Sequence, residues 1–231
     1  MQTCSHCAVR ESAICHSLSL EKLVELRRSG RRQTLHAGQT LSWEGDEAKL
    51  VGNVIDGVLK LSLAAPEGRD QTLGIVYPGD FIGRAFGATC DHTVTAVTDS
   101  QVCTFRQSTF DALARDDPAL EHELLERTLI ELNRARKWML MLGRMNAAQR
   151  VSSFLIEMAS RLCRESASDL NGARFTLPFG RQEIGDFLGL TIETVSRQFT
   201  MLRKSATVEI PDRRSIIIRD WHALQAIASG D

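Results

Sequence analysis

The spacing of apolar residues along the chain changes twice, and these changes divide the chain into three parts. From about residue 34 to 106, apolar residues stand in short alternating runs separated by glycine turns such as Asp56-Gly57 and Pro78-Gly79-Asp80. From 117 to 162 they recur at steps of three and four residues, which is the spacing of amphipathic helices. From 174 onward, short helical patterns alternate with short strands. The sequence therefore predicts an α+β protein with most of its strands in the N-terminal half.

The first part contains eight short strand patterns. They are Gln33–Leu35, Thr40–Trp43, Val51–Ile55, Val58–Leu63, Gln71–Val76, Phe81–Ile82, Thr93–Ala96 and Ser100–Phe105. Many short strands at this spacing are typical of a β-sandwich or jelly roll. One helix is predicted before them, over residues 19–33, and a short one after them, over Ser108–Ala114.

A long helix is predicted to follow, from Pro118 to about Leu142. Asp117 is a capping residue and Pro118 suits the first helical position, whereas Gly143 is expected to end the helix. A heptad spacing runs along one side through Leu125, Thr128, Leu132, Ala135, Met139 and Leu142. This seam predicts pairing with a second copy of the helix. Packing on its own domain is the alternative, and the helix can do both.

The most informative stretch lies near the C-terminus, where two short helices, Arg181–Leu188 and Thr191–Lys204, are joined by Gly189. On a helical wheel, the second helix has an apolar side made of Ile192, Val195, Phe199 and Leu202. Its opposite side is polar and consists of Glu193, Ser196, Arg197, Thr200 and Lys204. An ordinary amphipathic surface helix is one interpretation, and a helix-turn-helix is the other. In the second, Arg197 can donate two hydrogen bonds to a guanine, and Glu193 can accept one from cytosine.

The residues around these helices favour the DNA-binding interpretation. Ala206–Glu209 and Ser215–Arg219 read as a β-hairpin, and Phe175–Pro178 supplies a short strand before the first helix. A hairpin beside a recognition helix is the arrangement of a winged helix, and Arg213 and Arg214 at its tip can bind phosphates. The pattern therefore predicts a winged helix-turn-helix that binds double-stranded DNA.

Composition and charge limit the class of protein. The 231 residues are 43% hydrophobic and 25% charged, with a net charge of −1. DNA affinity therefore has to come from a few well-placed groups and from pairing two copies of the domain. No apolar run approaches the roughly 20 residues of a membrane span, and the N-terminus lacks a secretory signal. We expect a cytoplasmic protein with reduced thiols and no membrane association. No P-loop, G-x-S-x-G or H-E-x-x-H motif is present, so an enzyme is not predicted.

Three of the six cysteines lie within the first fifteen residues, in the spacing C-x2-C-x7-C formed by Cys4, Cys7 and Cys15. Two thiolates separated by two residues can bind one metal ion or one cluster, because the turn brings both sulfurs to the same side. A further ligand has to come from elsewhere in the fold. Mononuclear zinc accepts three cysteines and a histidine, whereas an iron–sulfur cubane needs a fourth cysteine. Three unliganded surface cysteines are the remaining alternative.

A β-roll, a long dimerisation helix and a winged helix, in this order, resemble the CRP/FNR family of transcription regulators over nearly the whole chain. Within it, L-G-L-T-I-E-T-V-S-R at Leu188–Arg197 is similar to the FNR branch, whose recognition helix carries E-x-x-S-R. The resemblance implies a homodimer that reads a palindrome similar to TTGAT-N4-ATCAA and works with RNA polymerase. Altogether, the DNA contacts are predicted to come from Glu193, Ser196, Arg197, Thr191, Thr194, Arg181, Arg213 and Arg214.

The resemblance also implies an oxygen sensor. FNR-type regulators hold an oxygen-labile [4Fe-4S] cluster on N-terminal cysteines and on a fourth cysteine in a late strand of the roll. Ser100–Arg106 matches that place, so the implied ligands are Cys4, Cys7, Cys15 and Cys103. Cys90, in a loop of the roll, is the rival fourth ligand, and Cys163 is expected to be a small core residue. Loss of the cluster is then expected to release the N-terminal segment and weaken the DNA-competent dimer.

Other sensors of the family bind cyclic AMP through a G-E…R-[ST] cassette that holds the phosphate. The corresponding region here, Gly79–Gly83 through Cys90–His92, lacks that glutamate and that arginine. A cyclic phosphate buried without a guanidinium partner is costly, so the sequence argues against a cyclic nucleotide as the signal. Zinc binding, a thiol–disulfide switch and a cyclic-nucleotide-binding signalling module that does not contact DNA are the alternatives to the iron–sulfur regulator.

One seam residue departs from the family pattern. Ala135 stands at a position that is often acidic in FNR proteins, where a pair of carboxylates repels in the cluster-free dimer. Without that charge the dimer can form more readily in the absence of the cluster, unless the nearby cations Arg134, Arg136 and Lys137 repel instead. The predicted organisation is a cysteine segment over 1–17, a β-roll sensor over 18–116, a dimerisation helix over 117–143 and a winged helix-turn-helix over 144–231.

Overall fold

The structure is a computed structural model that describes residue 4 and residues 7–64, 70–163 and 170–230. The chain forms two compact units, Met1–Ala135 and Arg136–Asp231. The predicted α+β class is confirmed, as is the order of a strand-rich domain, a long helix and a helix-turn-helix. Among the described residues, no helix is both long and apolar enough to cross a membrane.

The N-terminal unit is built from antiparallel strands. Its elements are a 3-10 helix (Ile14–Ser17), α1 (Leu20–Arg28), β1 (Arg31–Leu35), β2 (Thr40–Ser42), β3 (Leu50–Asp56), β4 (Leu59–Ala64), β5 (Asp70–Val76), β6 (Phe81–Gly83), β7 (Thr93–Ala96), β8 (Ser100–Arg106) and α2 (Gln107–Asp116). The strands form two four-stranded sheets, in the orders β1-β8-β3-β6 and β2-β7-β4-β5. Apolar side chains from both sheets, such as Val54 and Leu59, form one buried cluster. This is the roll that the short strand patterns predict.

The helix predicted over residues 19–33 is shorter than expected. α1 ends at Arg28, and residues 31–33 belong to β1. Gly30 accounts for the change, because a Cβ at this position would lie 2.8 Å from the ring of Phe105. A glycine therefore lets the chain pass close to β8 as it leaves the helix and enters the sheet.

The long helix, α3, spans Pro118–Arg144 and runs through Gly143, so the prediction that Gly143 ends the helix is wrong. Gly143 lacks the positive φ of a glycine cap, and the helix instead stops just before Asn146 begins the next one. The predicted seam residues are all exposed on the single chain, with Leu125 at 55% and Met139 at 65%. The seam is therefore open to a partner.

The C-terminal unit combines helices with a small sheet. After the end of α3 its elements are α4 (Ala147–Leu162), β9 (Arg174–Thr176), α5 (Arg181–Leu188), α6 (Ile192–Lys204), β10 (Val208–Glu209), β11 (Ser215–Ile218) and α7 (Trp221–Ser229). The strands pair antiparallel in the order β10-β11-β9. α7 is missing from the sequence-based prediction, although Asp220 caps it by accepting a hydrogen bond from the Ala223 amide at 2.8 Å. The link predicted over Ser166–Gly172 lies largely outside the described residues.

Replacing Asn146 with alanine is expected to destabilise the C-terminal unit by about 1 kcal/mol. The Asn146 side chain accepts from the Gln149 amide at 3.0 Å, and the Gln149 side chain accepts from the Asn146 amide at 2.9 Å. Alanine removes the first of these bonds at the start of α4, and urea unfolding measures the loss. Asn146→Asp keeps a capping oxygen and should retain most of the stability. Equal losses for both variants would contradict the capping role.

Candidate DNA interface and cysteine site

α5 and α6 are joined by the tight turn of a helix-turn-helix. Gly189 ends α5 in the left-handed conformation, with φ of +63°, which a residue with a side chain rarely adopts. Thr191 then caps α6, because its hydroxyl accepts from the Thr194 amide at 3.3 Å. The bounds predicted for both helices agree with the structure, because Gly189 and Thr191 act on the backbone immediately next to them.

The two faces of α6 follow the predicted wheel, with two exceptions. Val195, Phe199 and Leu202 are buried. Ile192 is 38% exposed, so its prediction as part of the buried face is wrong. Side chains of a helix tilt toward its N-terminus. The side chain of Ile192, the first residue of α6, therefore projects beyond the packed part of the helix. Gln198 is buried in the apolar side instead, and no sequence pattern indicates this.

The opposite face of α6 presents polar groups to solvent. Glu193, Ser196 and Arg197 are all exposed. Hydrogen bonds from its own backbone amide and from the Thr191 hydroxyl lower the pKa of Glu193. Its carboxylate is therefore ionised at neutral pH and can only accept hydrogen bonds. The hydroxyl groups of Thr191 and Thr194 also share a hydrogen bond, with their oxygens 3.2 Å apart.

Arg181, at the start of α5, is packed against α6. Its guanidinium carbon lies 3.4 Å from the centroid of the Phe199 ring, which is a cation–π contact. Burial lowers the pKa of Arg181 to about 10, so the group remains charged at neutral pH. Its Nη1 is buried and has no hydrogen-bond partner among the described residues. A buried donor without a partner is rare in folded proteins.

The hairpin between β10 and β11 has a tip organised by Asp212. Its carboxylate accepts from the Arg214 amide at 2.8 Å, and from the amide and the hydroxyl of Ser215, each at 2.7 Å. These bonds lower the pKa of Asp212. Arg213 and Arg214 are both exposed, although Arg214 also donates to the Pro178 carbonyl at 3.2 Å. The tip thus presents two cations from an ordered turn.

The N-terminal cysteines and Cys103 lie in one region of the roll. Cys4, Cys15 and Cys103 pack against the buried cluster that includes α1 and α2, and Cys7, Cys15 and Cys103 pack against a second, smaller cluster. All four are half-buried, free thiols. Across the described ranges, no three histidine, cysteine or acidic side chains are arranged as a metal-binding group. The thiols therefore share a neighbourhood without forming a coordination sphere.

Asn53 explains how Cys15 comes close to Cys103. Asn53 on β3 stands directly opposite Cys103 on β8 in the antiparallel ladder. Its buried side chain accepts a hydrogen bond from the amide of Ile14 at 3.3 Å, and Ile14 immediately precedes Cys15. The sequence-based prediction does not include Asn53. The available signal is a polar residue in the middle of the apolar strand L-V-G-N-V-I.

The donor set fits a positively charged inorganic core. Burial, together with repulsion from the neighbouring Cys4, Cys15 and Cys7, raises the pKa of Cys103 to about 12. Burial and the same repulsion raise the pKa of Cys15. Without a cation the thiols of Cys15 and Cys103 stay protonated at neutral pH, whereas a bound metal offsets both the burial and the mutual repulsion of thiolates. Four soft sulfur donors are also the set that iron–sulfur clusters and zinc select.

The two other cysteines lie elsewhere. Cys90 lines a cavity between strands of the roll. Cys163 follows α4 in the C-terminal unit, where its thiol lies 3.8 Å from the carbonyl oxygen of Arg174. It is half-buried rather than the core residue that the sequence predicts, because the helix ends at Leu162 and leaves it at the cap.

Two family models match the chain. A model described as Crp-like helix-turn-helix domain matches residues 149–227. A model described as cyclic nucleotide-binding domain matches residues 32–117. The first range takes in α5, α6 and the hairpin, and the second takes in both sheets of the roll. Each unit of the structure therefore has a counterpart among known domains.

Relatives match both units in one chain. The chain is 36% identical over 232 residues to the transcriptional activator protein FnrL of Cereibacter sphaeroides, covering 100% of this chain and 94% of that protein. It is 38% identical over 209 residues to the nitrogen fixation regulation protein FixK of Bradyrhizobium diazoefficiens, covering 90% and 86%. The solved structure of FixK2 from Bradyrhizobium japonicum is similar with a TM-score of 0.78 at 30% identity, covering 86% of this chain and 96% of that one.

Proposed function

Because the chain belongs to the CRP/FNR family of transcription regulators, we propose that it is an FNR-type transcriptional activator that senses oxygen. Members of this family are DNA-binding regulators and not enzymes, and the same holds for this chain. In the proposal, a [4Fe-4S] cluster held by Cys4, Cys7, Cys15 and Cys103 controls a homodimer. The single observation that carries the sensing half is the common neighbourhood of these four thiols.

The DNA-binding half rests on the exposed face of α6. Two recognition helices in a two-fold dimer can enter successive major-groove segments of a palindrome similar to TTGAT-N4-ATCAA. Arg197 suits a guanine and Glu193 suits the amino group of a cytosine, and Ser196 lies beside them. The remaining contacts position the protein on the phosphates. They are proposed for Arg213 and Arg214 at the hairpin tip and for Arg181, Thr191 and Thr194 near the helix ends.

The sensing half depends on how the cysteine segment, residues 1–17, is held on the roll. When bound, the cluster supplies the oxygen-labile chemistry. Asn53 holds the Ile14 amide, and Ile14 and Leu18 are buried in the apolar cluster beneath α1. The protein thus presents Cys15 beside Cys103 from a fixed backbone. The four-part division of the chain at residues 17, 116 and 143 remains part of this proposal, as does RNA polymerase as a partner.

Anaerobic purification is expected to give a brown protein with about four iron and four sulfide per chain, as four cysteine ligands to a cubane require. Exposure to air should bleach the visible absorption and weaken binding to the palindrome. Metal analysis and the visible spectrum measure this. A colourless protein with one zinc would contradict the sensing half and leave the DNA-binding half intact. A reversible disulfide without metal would do the same.

The roll offers little to a cyclic phosphate, which supports a signal other than a nucleotide. Among the described residues that line its 190 Å³ cavity, Lys49 is the cation, and its ammonium lies 3.1 Å from the carboxylate of Glu47. Arg84, in the region where the family binds phosphate, pairs with Asp91. A phosphate needs cations that are not already paired. Neither side chain meets that need.

Replacing Leu132 with glutamate is expected to weaken the dimer at least about 100-fold, because each copy loses roughly 1.5–3 kcal/mol of apolar burial and gains a carboxylate facing its equivalent. Leu132 is exposed on the single chain in the centre of the seam. Sedimentation equilibrium measures the dissociation constant. Asn133→Glu places the same charge one residue away, outside the seam, and should change the dimer little. Equal effects of the two substitutions would contradict pairing through this seam.

A further inference from the structure

The side of α3 that faces the roll changes character along its length. At its start the helix is held by apolar packing, since Leu120 is buried and Leu124 packs against the same cluster. About one and three turns after Leu124, the positions that face the roll are charged. Arg127 and Arg134 are only 19% and 21% exposed in their side chains. Past Leu124, therefore, hydrogen bonds and ion pairs fix the helix on the roll, and such contacts depend on where their partners lie.

Arg127 uses all three nitrogens of its guanidinium. Nε donates to Glu123 on the same helix at 2.7 Å. Nη1 donates to the carbonyl of Gly79 at 3.0 Å, in the turn between β5 and β6. Nη2 donates to the carbonyl of Ser12 at 2.7 Å. One side chain thus joins the dimerisation helix, a turn of the roll and the cysteine segment.

Ser12 lies between Cys7 and Cys15, in a turn that is closely packed on the roll. Its amide and hydroxyl both bond to the Val9 carbonyl. A Cβ on Gly79 would lie 2.5 Å from the Ser12 hydroxyl oxygen, so glycine is required for the segment to reach the turn. A displacement of the segment therefore moves the acceptor of Arg127 directly.

We propose that Arg127 is the positioning residue that transmits the state of the four cysteines to α3. With the cysteines occupied, the Ser12 carbonyl is fixed and Arg127 holds its helix against the roll. The neighbouring seam residues Leu125 and Thr128 then face outward in the orientation that pairs. When the segment is released, Arg127 loses one of its two carbonyl anchors and the start of the seam is no longer fixed. This inference rests on the proposed function, since it needs cysteines that bind and lose a ligand.

Arg134 is the matched control on the same helix. Its guanidinium pairs with Asp80 at 3.3 Å and with Glu131. It holds α3 to the same turn of the roll, because Asp80 follows Gly79 directly. Among the described residues, none of its hydrogen bonds reaches the cysteine segment. Substituting Arg134 therefore perturbs the attachment of α3 without cutting the link to Ser12.

The test compares wild type, Arg127→Met and Arg134→Met, because methionine keeps an unbranched apolar stem while removing the donors. The dimer dissociation constant is measured with the cysteines occupied and after oxygen has removed the cluster, with iron determined on each sample. Wild type should differ between these states by about 5–150-fold, the usual size of coupling between two sites. In Arg127→Met the factor should fall below about twofold with iron content unchanged, whereas Arg134→Met should keep the wild-type factor. The proposal would be overturned if the dissociation constant of Arg127→Met changed between the two states by the same factor as in wild type. It would also be overturned if both variants lost this factor equally.

Hydrogen exchange on the anaerobic protein with its cysteines occupied tests the link between Arg127 and Ser12 without measuring the dimer, and this separates the proposal from the sensing function. The amides of residues 12 and 13 should exchange faster in Arg127→Met than in wild type and Arg134→Met. Unchanged exchange would overturn the link between Arg127 and Ser12 even if the cluster were present. Absence of iron from wild type would instead overturn the sensing function, and it would be seen without any variant.

Discussion

Replacing Arg197 with alanine is expected to weaken binding to the operator strongly while leaving the fold and the dimer intact. Arg197 is exposed in the middle of α6, and no hydrogen bond or ion pair joins it to other described residues. Its loss therefore costs the unbound protein little. On DNA, a bidentate contact with guanine is worth about 1–3 kcal/mol. Two half-sites double this to about 2–6 kcal/mol, a loss of roughly 30-fold to 20,000-fold in affinity.

Fluorescence anisotropy with an operator duplex and a scrambled duplex of equal length measures the effect. Arg197→Lys should keep binding to the scrambled duplex yet lose much of the preference for the operator, because an ammonium cannot form the two parallel bonds. Arg203→Ala removes an exposed arginine from the last turn of the same helix and should weaken both duplexes equally. An unchanged preference in Arg197→Ala would show that Arg197 does not read a base.

The helix-turn-helix could be predicted closely from the sequence because its determinants are local. Gly189 ends the first helix and Thr191 caps the second. The period of 3.6 residues places Val195 on the buried face and Arg197 on the exposed face. The strand patterns of the roll were likewise predicted to within one or two residues. Local patterns do not show how α5 packs on α6, so the contact of Arg181 with Phe199 could not be foreseen.

The cysteine site, in contrast, could be predicted only in part from the sequence. The spacing of Cys4, Cys7 and Cys15 indicates a ligand group, but Cys103 lies far along the chain and is suggested only by the family resemblance. Its nearness depends on the pairing of β3 with β8 and on the Asn53 side chain. Such register is a property of the folded sheet. For the same reason the contacts of Arg127 cannot be predicted from the sequence, because its partners are backbone carbonyls, which every residue has.

Replacing Cys103 with serine is expected to prevent stable assembly of the cluster, because a hydroxyl is a poor ligand for iron in place of a thiolate. Iron in the anaerobic protein should fall from about four per chain to well under one. Operator binding should then approach that of the air-exposed wild type. The metal-free protein should remain folded, since Cys103 is only half-buried.

Cys90→Ser and Cys163→Ser are the matched controls, because they make the same substitution at two other half-buried cysteines. Both should retain iron, the visible absorption and oxygen-dependent operator binding. Loss of iron from Cys90→Ser with retention in Cys103→Ser would make Cys90 the fourth ligand. That exchange would also remove the role given to Asn53, because Cys90 lies in a different part of the roll, paired through the Asp46 backbone. Retention of iron in all three variants would leave the three N-terminal cysteines as the only cysteine ligands, which suits a mononuclear metal better than a cubane.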